Sequence, residues 1–461
     1  MRGHVSFLAS DLLEGRGTPS RGQDIAAEYI AAQFRRAGLE PVGDDSFYQK
    51  ASFLSLEPNK EGAVLEMASG DRKASATADQ LSLNVVKDIA LSGAAVVKVA
   101  ADPAEVAKLR REDVADKVVA VYVTRGFGPE AEKRYEALSA IRKLKPALMI
   151  LAGPGSPRQQ RGRLLAADEV NEQVPSVGLR EGDLVKEIES AAPGLLAWKV
   201  EAKLPAAKQK PLTLRNIAGL IRGSDPILKD TYLLVTAHYD HVGMKSEGDG
   251  DRIYNGANDD ASGVASLLEI AGTLNAMNPR PRRSILFVAL FGEEAGLLGS
   301  EYYGRHPLVP LRNTVGDINL EHMGRTDATD GVKIGSASFT GFDYSDLPAI
   351  FKTAGEHMGV SVYKDEKLSD PFFARSDNQA LADVGIPAHT ICVAFEFPDY
   401  HAVGDEWQKL DYDNMAKIDR MVTLGLITIA DSETAPKWNE QEPKAQKYAA
   451  AWRTLHAESG Q

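Results

Sequence analysis

Cysteine is almost missing from this chain, since Cys392 is the only one among 461 residues. A single cysteine excludes an intrachain disulfide and any zinc site built from several thiolates. A metal ion in this protein would therefore need ligands from histidine, aspartate and glutamate. Long apolar runs are missing as well, and because no stretch approaches 18 consecutive apolar residues we expect no transmembrane helix.

The chain also lacks an excess of basic charge. It has 53 lysines and arginines against 65 aspartates and glutamates, a formal net charge of −12. An acidic protein is poorly suited to bind nucleic acid or an anionic membrane, so we expect neither as a partner. The 43% hydrophobic and 26% charged residues are typical of globular proteins, and the length predicts two or three domains. Nothing in the composition specifies an oligomeric state.

The first half of the chain predicts a helix and then a separate small unit. Residues 22–37 have the period of an amphipathic helix, and Gly38 is a suitable stop. From about residue 59 to 205 the pattern indicates a small α/β unit. Its predicted strands are 118–123, 147–151 and 174–179, and a helix is predicted at 129–144. The stretch 203–211, rich in lysine and proline, predicts a linker.

The second half predicts a parallel sheet. The continuous apolar runs at 232–236 and 285–291 are typical of strands buried on both faces. A helix is predicted between them at 261–277. Further strands are expected at 314–320 and 388–395, and further helices at 411–431 and 441–456.

Several histidines and acids follow these predicted strands directly, at the edge where parallel sheets bind ligands. His238 ends the first strand, and Asp240 comes two residues later. A metal-bound histidine commonly donates its other ring N–H to a carboxylate. A lone histidine is more often structural, so this pair by itself is a weak signal.

Two acidic pairs stand at similar places. Asp259 and Asp260 open the next predicted helix, where one acid could serve as a cap, but two adjacent carboxylates are more than a cap requires. Glu293 and Glu294 follow the second strand; they could be solvated acids at a helix start, favoured by its dipole. Alternatively, one glutamate binds a metal and the other activates a water molecule as general base.

Two more candidates complete a pattern. Glu321 ends the strand at 314–320, and Tyr400-His401 follows the strand at 388–395. Two histidines with three carboxylates are the ligand set of a two-metal hydrolytic site, and such donors suit Zn²⁺. The five candidate ligands are His238, Asp259, Glu294, Glu321 and His401.

At these residues the chain resembles a known superfamily, the di-zinc exopeptidases, which includes bacterial leucyl aminopeptidase, aminopeptidase Y, glutamate carboxypeptidase and the transferrin receptor. The segments that carry the resemblance, in family order, are AHYDHVG (237–243), NGANDDASG (255–263), FGEEAGLLGS (291–300), INLEHMGR (318–325) and DYH (399–401). Residues 4–16 and 216–226 also resemble parts of the catalytic domain, and the insert resembles a protease-associated domain.

The resemblance implies a fold and a site. The fold would be an α/β three-layer sandwich around a mostly parallel mixed sheet. The catalytic domain would comprise 1–58 and 206–435, with the insert at 59–205 and a C-terminal helix at 436–461. Asp259 would bridge two Zn²⁺ ions, one held with His238 and Glu321, the other with Glu294 and His401. The Asp259–Asp260 peptide bond is often cis in the superfamily.

The resemblance also implies roles for three further residues. Glu293 would be the general base, Asp240 would orient His238, and Tyr400 would hydrogen-bond the oxyanion. The superfamily usually has aspartate where this chain has Glu321, although glutamate also occurs there.

Three further residues or segments near the motifs need separate expectations. His322 is a rival ligand to Glu321; because adjacent strand residues point to opposite faces, we expect only Glu321 to face the metals. His241 is expected to have a supporting or structural role, and so is the segment 376–378.

The predicted function is that of a zinc-dependent aminopeptidase acting on peptides with a free N-terminus. A glutamate carboxypeptidase-like hydrolase is the main alternative, since Arg252, Arg325 or Arg375 could bind a substrate carboxylate. A non-catalytic, receptor-like binding protein and a one-zinc glutaminyl cyclase are further alternatives. The chain opens without a signal-peptide pattern; the resemblance nevertheless favours a secreted or periplasmic protein over a cytoplasmic one.

Overall fold

The computed structural model describes residues 1–126, 129–158 and 162–457. The chain divides into two compact units: the first combines Met1–Ala51 with Leu214–Gln461, and the second is Ser52–Thr213. The second unit is an insertion within the first. It contains the segment 59–205 that the sequence sets apart, whose assignment as a protease-associated domain stays a prediction.

The strands and helices are numbered here in chain order. The strands are β1 (Glu40–Pro41), β2 (Tyr48–Glu57), β3 (Val64–Ser69), β4 (Arg72–Ala76), β5 (Ser82–Asn84), β6 (Ile89–Val99), β7 (Val118–Tyr122), β8 (Leu148–Ala152), β9 (Arg163–Ala166), β10 (Ser176–Leu179), β11 (Gly194–Leu204), β12 (Lys208–Ile221), β13 (Tyr232–His238), β14 (Ser284–Leu290), β15 (Thr314–Leu320), β16 (Asp327–Ala328), β17 (Gly331–Val332), β18 (Ser336–Phe339), β19 (Ser361–Tyr363) and β20 (Ala388–Cys392). The α-helices are α1 (Arg2–Leu8), α2 (Arg21–Ala37), α3 (Pro103–Val106), α4 (Arg111–Val114), α5 (Pro129–Lys143), α6 (Asp183–Ser190), α7 (Ser262–Asn275), α8 (Leu298–Arg305), α9 (Leu347–Met358), α10 (Ser369–Phe372), α11 (Asn378–Asp383), α12 (Tyr412–Asp431) and α13 (Gln446–Ala457).

The sheet of the first unit is mixed, with a parallel centre. Its strand order is β19-β18-β20-β15-β13-β14-β12, and β1 pairs with β12. The four central strands β20, β15, β13 and β14 are parallel to their neighbours in this group. Their carboxyl ends therefore meet at one edge of the sheet, where His238 stands level with Leu290. This edge carries the candidate site.

Both faces of this sheet are buried, as the apolar runs predict. Leu234, Leu286 and Val288 share one cluster with Tyr303 and Leu381, so α8 and α11 lie on that side. The intervening strand residues are also fully buried and face the other way. The helices α7 and α12 both contact β13. The predicted fold class, an α/β sandwich around a mostly parallel mixed sheet, is confirmed.

The second unit has its own sheet and its own core. Its strand order is β4-β3-β11-β6-β7-β8-β10-β5. Along β7, Val118 and Ala120 belong to one apolar cluster, while Val119 and Val121 belong to another. Because successive strand residues face opposite sides, this unit is also buried on both faces of its sheet.

The structure corrects one element of the sequence prediction. The stretch 203–211 is not a linker, because β11 runs to Leu204 and β12 begins at Lys208. The lysines and the proline at 208–211 are exposed, yet they belong to the strand β12. The other helices and strands predicted above are present with ends that shift by a few residues. No helix in the described ranges is long and apolar enough to cross a membrane.

Candidate metal centre

His238 is the last residue of β13 and is completely buried. Its Nδ1 lies 3.2 Å from the backbone carbonyl of Asp240 and 3.8 Å from the nearer carboxylate oxygen. Its Nε2 lies 3.2 Å from Oδ1 of Asp259. The Asp240 carboxylate accepts hydrogen bonds from Thr18 Oγ1 at 2.8 Å and from the backbone N–H of Glu293 at 3.1 Å. The carbonyl of Asp240 thus orients His238, while its carboxylate holds the glutamate segment.

The two aspartates before α7 divide their tasks. Asp260 Oδ1 accepts from the N–H of Gly263 at 3.0 Å and from that of His322 at 3.3 Å, so this residue caps the helix. Gly263 leaves no room for a side chain, since a Cβ would lie 2.3 Å from that carboxylate. Asp259 is left to face His238. The peptide bond between the two is cis, as the resemblance implies, and the Asp405 carboxylate accepts from the N–H of Asp259 at 3.1 Å.

The glutamate pair follows β14 and also divides its tasks. Glu294 Oε1 lies 2.8 Å from Nδ1 of His241 and 3.2 Å from Nε2 of His401. These imidazoles lower the pKa of Glu294, although burial and Asp259 act in the opposite direction. Burial and the surrounding carboxylates raise the pKa of Glu293 well above its usual value. The two neighbours therefore offer one anionic ligand and one readily protonated group.

Glu321 and His322 both lie near Asp259, although the sequence predicts that only Glu321 faces the metals. β15 ends one residue before Glu321, and His322 has a left-handed φ of 54°, so strand alternation no longer applies. Nε2 of His322 lies 3.7 Å from Glu321 Oε1 and 3.7 Å from Asp259 Oδ1. Its Nδ1 lies 3.2 Å from the carbonyl of Ala394, and Ser376 Oγ donates to Glu321 Oε2.

His401 approaches Asp259 from the other side. Its Nε2 lies 3.2 Å from Oδ2 of Asp259, and 43% of its side chain is exposed. The ring of Tyr400 stands 4.2 Å from that of His401, centroid to centroid. Burial and the nearby carboxylates raise the pKa of the Tyr400 hydroxyl, which therefore stays protonated.

The segment 376–378 supports the site through hydrogen bonds. Ser376 bonds Glu321 as described, and Asp377 Oδ1 accepts from Ser300 Oγ at 2.5 Å. Asn378 Oδ1 accepts from Thr390 Oγ1 at 2.8 Å, which ties α11 to β20. These contacts agree with the supporting role expected for the segment.

The polar atoms at the centre fit metal ions. Burial alone would raise the pKa of Asp259, but the imidazoles around it lower it well below its usual value, so the carboxylate is anionic. Among the described residues, several buried atoms have no hydrogen-bond partner, although such groups are normally bonded; they include His238 Nε2, His241 Nδ1, His322 Nε2 and Glu294 Oε1. Two sets of donor atoms lie within 4.8 Å of one another: His238, Asp259 and Glu321, and His241, Asp259 and Glu294. Nitrogen and oxygen donors of this kind are suited to zinc.

Comparison with known sequences decides the family of this region. Residues 216–425 match peptidase family M28. These residues form an M28 domain. The family predicted from the motifs is thereby confirmed, and all five candidate ligands lie inside the M28 domain.

Curated relatives share part of this sequence, and a solved structure shares the fold. The chain is 34% identical over 141 residues to a probable zinc metalloprotease of Pyrenophora tritici-repentis, covering 29% of this chain and 30% of that protein. It is 25% identical over 280 residues to aminopeptidase YwaD of Bacillus subtilis, covering 59% and 55%. The chain thus matches about a third to a half of the length of these relatives. An aminopeptidase from Aneurinibacillus has a similar fold, with a TM-score of 0.52, 19% identity and coverage of 95% and 93%.

The sequence analysis missed Arg16, which organises the M28 domain's site from outside the matched segment. Its side chain is 1% exposed and donates to the backbone carbonyls of Leu8, Tyr239, Asn255 and Gly256, the last three at 2.9, 2.7 and 2.9 Å. Arg16 lies in the N-terminal segment that resembles the superfamily, but no local pattern distinguishes it from an exposed arginine.

Proposed function

We propose that this chain is a two-zinc metallopeptidase that removes N-terminal residues from peptides. The observation that carries the proposal is the position of Asp259. One of its carboxylate oxygens faces His238 at 3.2 Å, and the other faces His401 at the same distance. A carboxylate placed between two sets of nitrogen and oxygen donors is suited to bridge two metal ions.

The residues that would hold the ions are His238, Asp259 and Glu321 for one, and Asp259, Glu294 and His401 for the other. When bound, the two ions would polarise the scissile carbonyl and lower the pKa of the attacking water. The family match and the names of the curated relatives support zinc as the metal.

Glu293 would transfer the protons. Its carboxyl group would accept a proton from the attacking water and then donate it to the leaving amine. A raised pKa suits this task, because the group must hold the proton between the two steps. Asp240 keeps the segment in place by accepting from the Glu293 backbone N–H. Tyr400, with a protonated hydroxyl beside the ligands, would donate a hydrogen bond to the oxyanion.

A carboxypeptidase is a second candidate, favoured by the position of Arg375. Arg325 is less suited to bind a substrate carboxylate, because it is already paired with Asp327 and Asp399, at 2.6 and 2.7 Å. Arg375, in contrast, has no carboxylate within ion-pair distance among the described residues. It stacks on the Phe372 ring at 4.2 Å and lines a pocket that also contains Tyr400. An exposed guanidinium in this place could bind the terminal carboxylate of a substrate.

Substrates with one blocked terminus distinguish the two activities. An aminopeptidase cleaves leucine p-nitroanilide and a free dipeptide but not an N-acetylated dipeptide, whereas a carboxypeptidase accepts the acetylated one. Arg375→Gln is the matched variant: it should leave the aminopeptidase kcat within a few-fold of wild type. If the wild-type protein cleaves acetylated dipeptides and the Arg375→Gln variant does not, the carboxypeptidase proposal replaces the aminopeptidase proposal. If the protein hydrolyses none of these peptides in the presence of zinc, both the aminopeptidase and the carboxypeptidase proposals are refuted.

A further inference from the structure

His241 is held rigidly beside the proposed metal centre. The residue lies in the segment after β13 and is 1% exposed. Its ring packs against Gly256, where a Cβ would come within 2.5 Å of the His241 Cγ. Gly256 also has a left-handed φ of 58°, which glycine adopts easily. The close contact between the ring and the backbone of this glycine therefore leaves the His241 side chain little freedom to turn away.

The ring nitrogens of His241 have no hydrogen-bond partner among the described residues. Nδ1 is only 2.8 Å from Glu294 Oε1, yet the two atoms are not aligned for a hydrogen bond, and both remain unpartnered. Two donor atoms that lie this close without pointing at each other are arranged to meet a third atom. Nδ1 is also 3.7 Å from Oδ2 of Asp259, the oxygen that faces His401.

The distances from each histidine to the two carboxylates fit a metal ion that the carboxylates hold. Nε2 of His401 lies 3.2 Å from both Asp259 Oδ2 and Glu294 Oε1. Ligand atoms about 2.0–2.1 Å from zinc in a tetrahedron are roughly 3.3 Å apart. The contacts of His241 with Asp259 and Glu294, 3.7 and 2.8 Å, bracket this value.

We infer that His241 is an additional protein ligand of the zinc ion held by Asp259, Glu294 and His401. This inference rests on the proposed two-zinc function and goes beyond its five-ligand set. The centre would then contain three imidazole ligands for two ions. A buried nitrogen donor would add to the affinity of this second site, whose other histidine is partly exposed.

Two measurements on the full chain test the inference. X-ray absorption at the zinc edge of wild-type protein loaded with two ions should show three imidazoles per two zinc ions rather than two. Competition between the metal-free protein and a chromophoric chelator then measures the affinity for Zn²⁺. His241→Gln and His241→Ala should weaken the binding of one ion about 10- to 100-fold or more and leave the other unchanged. His357→Gln, an exposed histidine on α9, is the control and should match wild type.

The outcomes separate this inference from the proposal on which it rests. Two imidazoles per two zinc ions, with unchanged affinities in both folded His241 variants, would overturn the role of His241 while the two-zinc centre stands. If wild-type protein binds fewer than two ions, the two-zinc centre itself is refuted, whereas a His401→Gln variant that keeps both ions at full affinity would remove only His401 from the ligand set. The absorption measurement needs no variant, so a substitution that prevents folding does not remove the test.

Discussion

Replacing Arg16 with methionine should both destabilise the protein and weaken its metal centre. The guanidinium is buried and donates to four backbone carbonyls, which join the segment after β13 to the turn before α7. Burial lowers the Arg16 pKa to about 10, whereas the neighbouring carboxylates, Asp240 and Asp259 foremost, act to keep it charged. At neutral pH the side chain is therefore a cation within an acidic site.

The size of the effect follows from these contacts. A hydrogen bond from a charged donor contributes about 1.5–3 kcal/mol, but the four bonds share one group and are not additive. Removing one partner of a buried ionic arrangement typically costs about 3–5 kcal/mol. We therefore expect Arg16→Met to lower the free energy of unfolding by about 4 kcal/mol. Arg16→Lys keeps the charge but loses the planar set of donors, so its loss should be smaller.

Urea unfolding of the metal-free protein measures the stability, and chelator competition measures the zinc affinity. Arg283 provides a matched control, because it is also buried but donates to Thr231 and to the carbonyl of Ser432. Arg283→Met should lose comparable stability and keep its zinc affinity, whereas Arg16→Met should lose both. A loss below about 1 kcal/mol in Arg16→Met, or equal zinc affinities in the two variants, would refute the reasoning.

Three further predictions concern catalysis, metal and pH. Glu293→Gln should lower kcat by about 10²–10⁴-fold because it cannot accept a proton, and the zinc content should stay at two ions; retained kcat would exclude Glu293 as the base. A strong chelator should abolish hydrolysis and lower the melting temperature, since close carboxylates lose their counter-ions, and Zn²⁺ should restore both; activity that persists in metal-free protein would contradict the proposal. Burial raises the pKa of Asp419 to about 7, and neither of its oxygens has a hydrogen-bond partner among the described residues. In the unfolded chain the pKa of an aspartate is about 3.9. The free energy of unfolding should therefore fall as the pH rises from about 4 to 7, by up to about 4 kcal/mol. Asp419→Asn should therefore raise the free energy of unfolding at pH 8 by about 2–4 kcal/mol and change it little at pH 4; the same gain in the exposed variant Asp413→Asn, on the same helix, would show that burial is not the cause.

The candidate ligands were predictable because they occupy strand ends. The apolar runs of β13 and β14 mark where each strand stops, and the residue that follows is brought to the common edge of a parallel sheet. His238, Glu294 and Glu321 could be proposed in this way without coordinates. The acidic pair at 259–260 was ambiguous between capping and binding; in the structure Asp260 caps α7, while Asp259 faces His238.

Other features depend on contacts between residues far apart in the chain. The partner of the His238 ring is the carbonyl of Asp240, a backbone atom that a side-chain pattern does not indicate. His322 lies close to Asp259 because β15 ends before it and its φ is left-handed. The alternation of side chains along a strand does not apply beyond the end of that strand. Most of the stretch 203–211 belongs to β11 and β12, whereas its composition alone favours a linker.

The sequence by itself predicted the α/β class, the resemblance to a peptidase superfamily and five candidate metal ligands. These properties follow from local periodicity and from residue types at short spacing, which are readable along the chain. Only the tertiary structure decided which atoms face each other: that Arg16 joins two distant segments, and that His241 lies 2.8 Å from Glu294. Such contacts join residues separated by tens to hundreds of positions, and their geometry is determined by packing rather than by any local pattern.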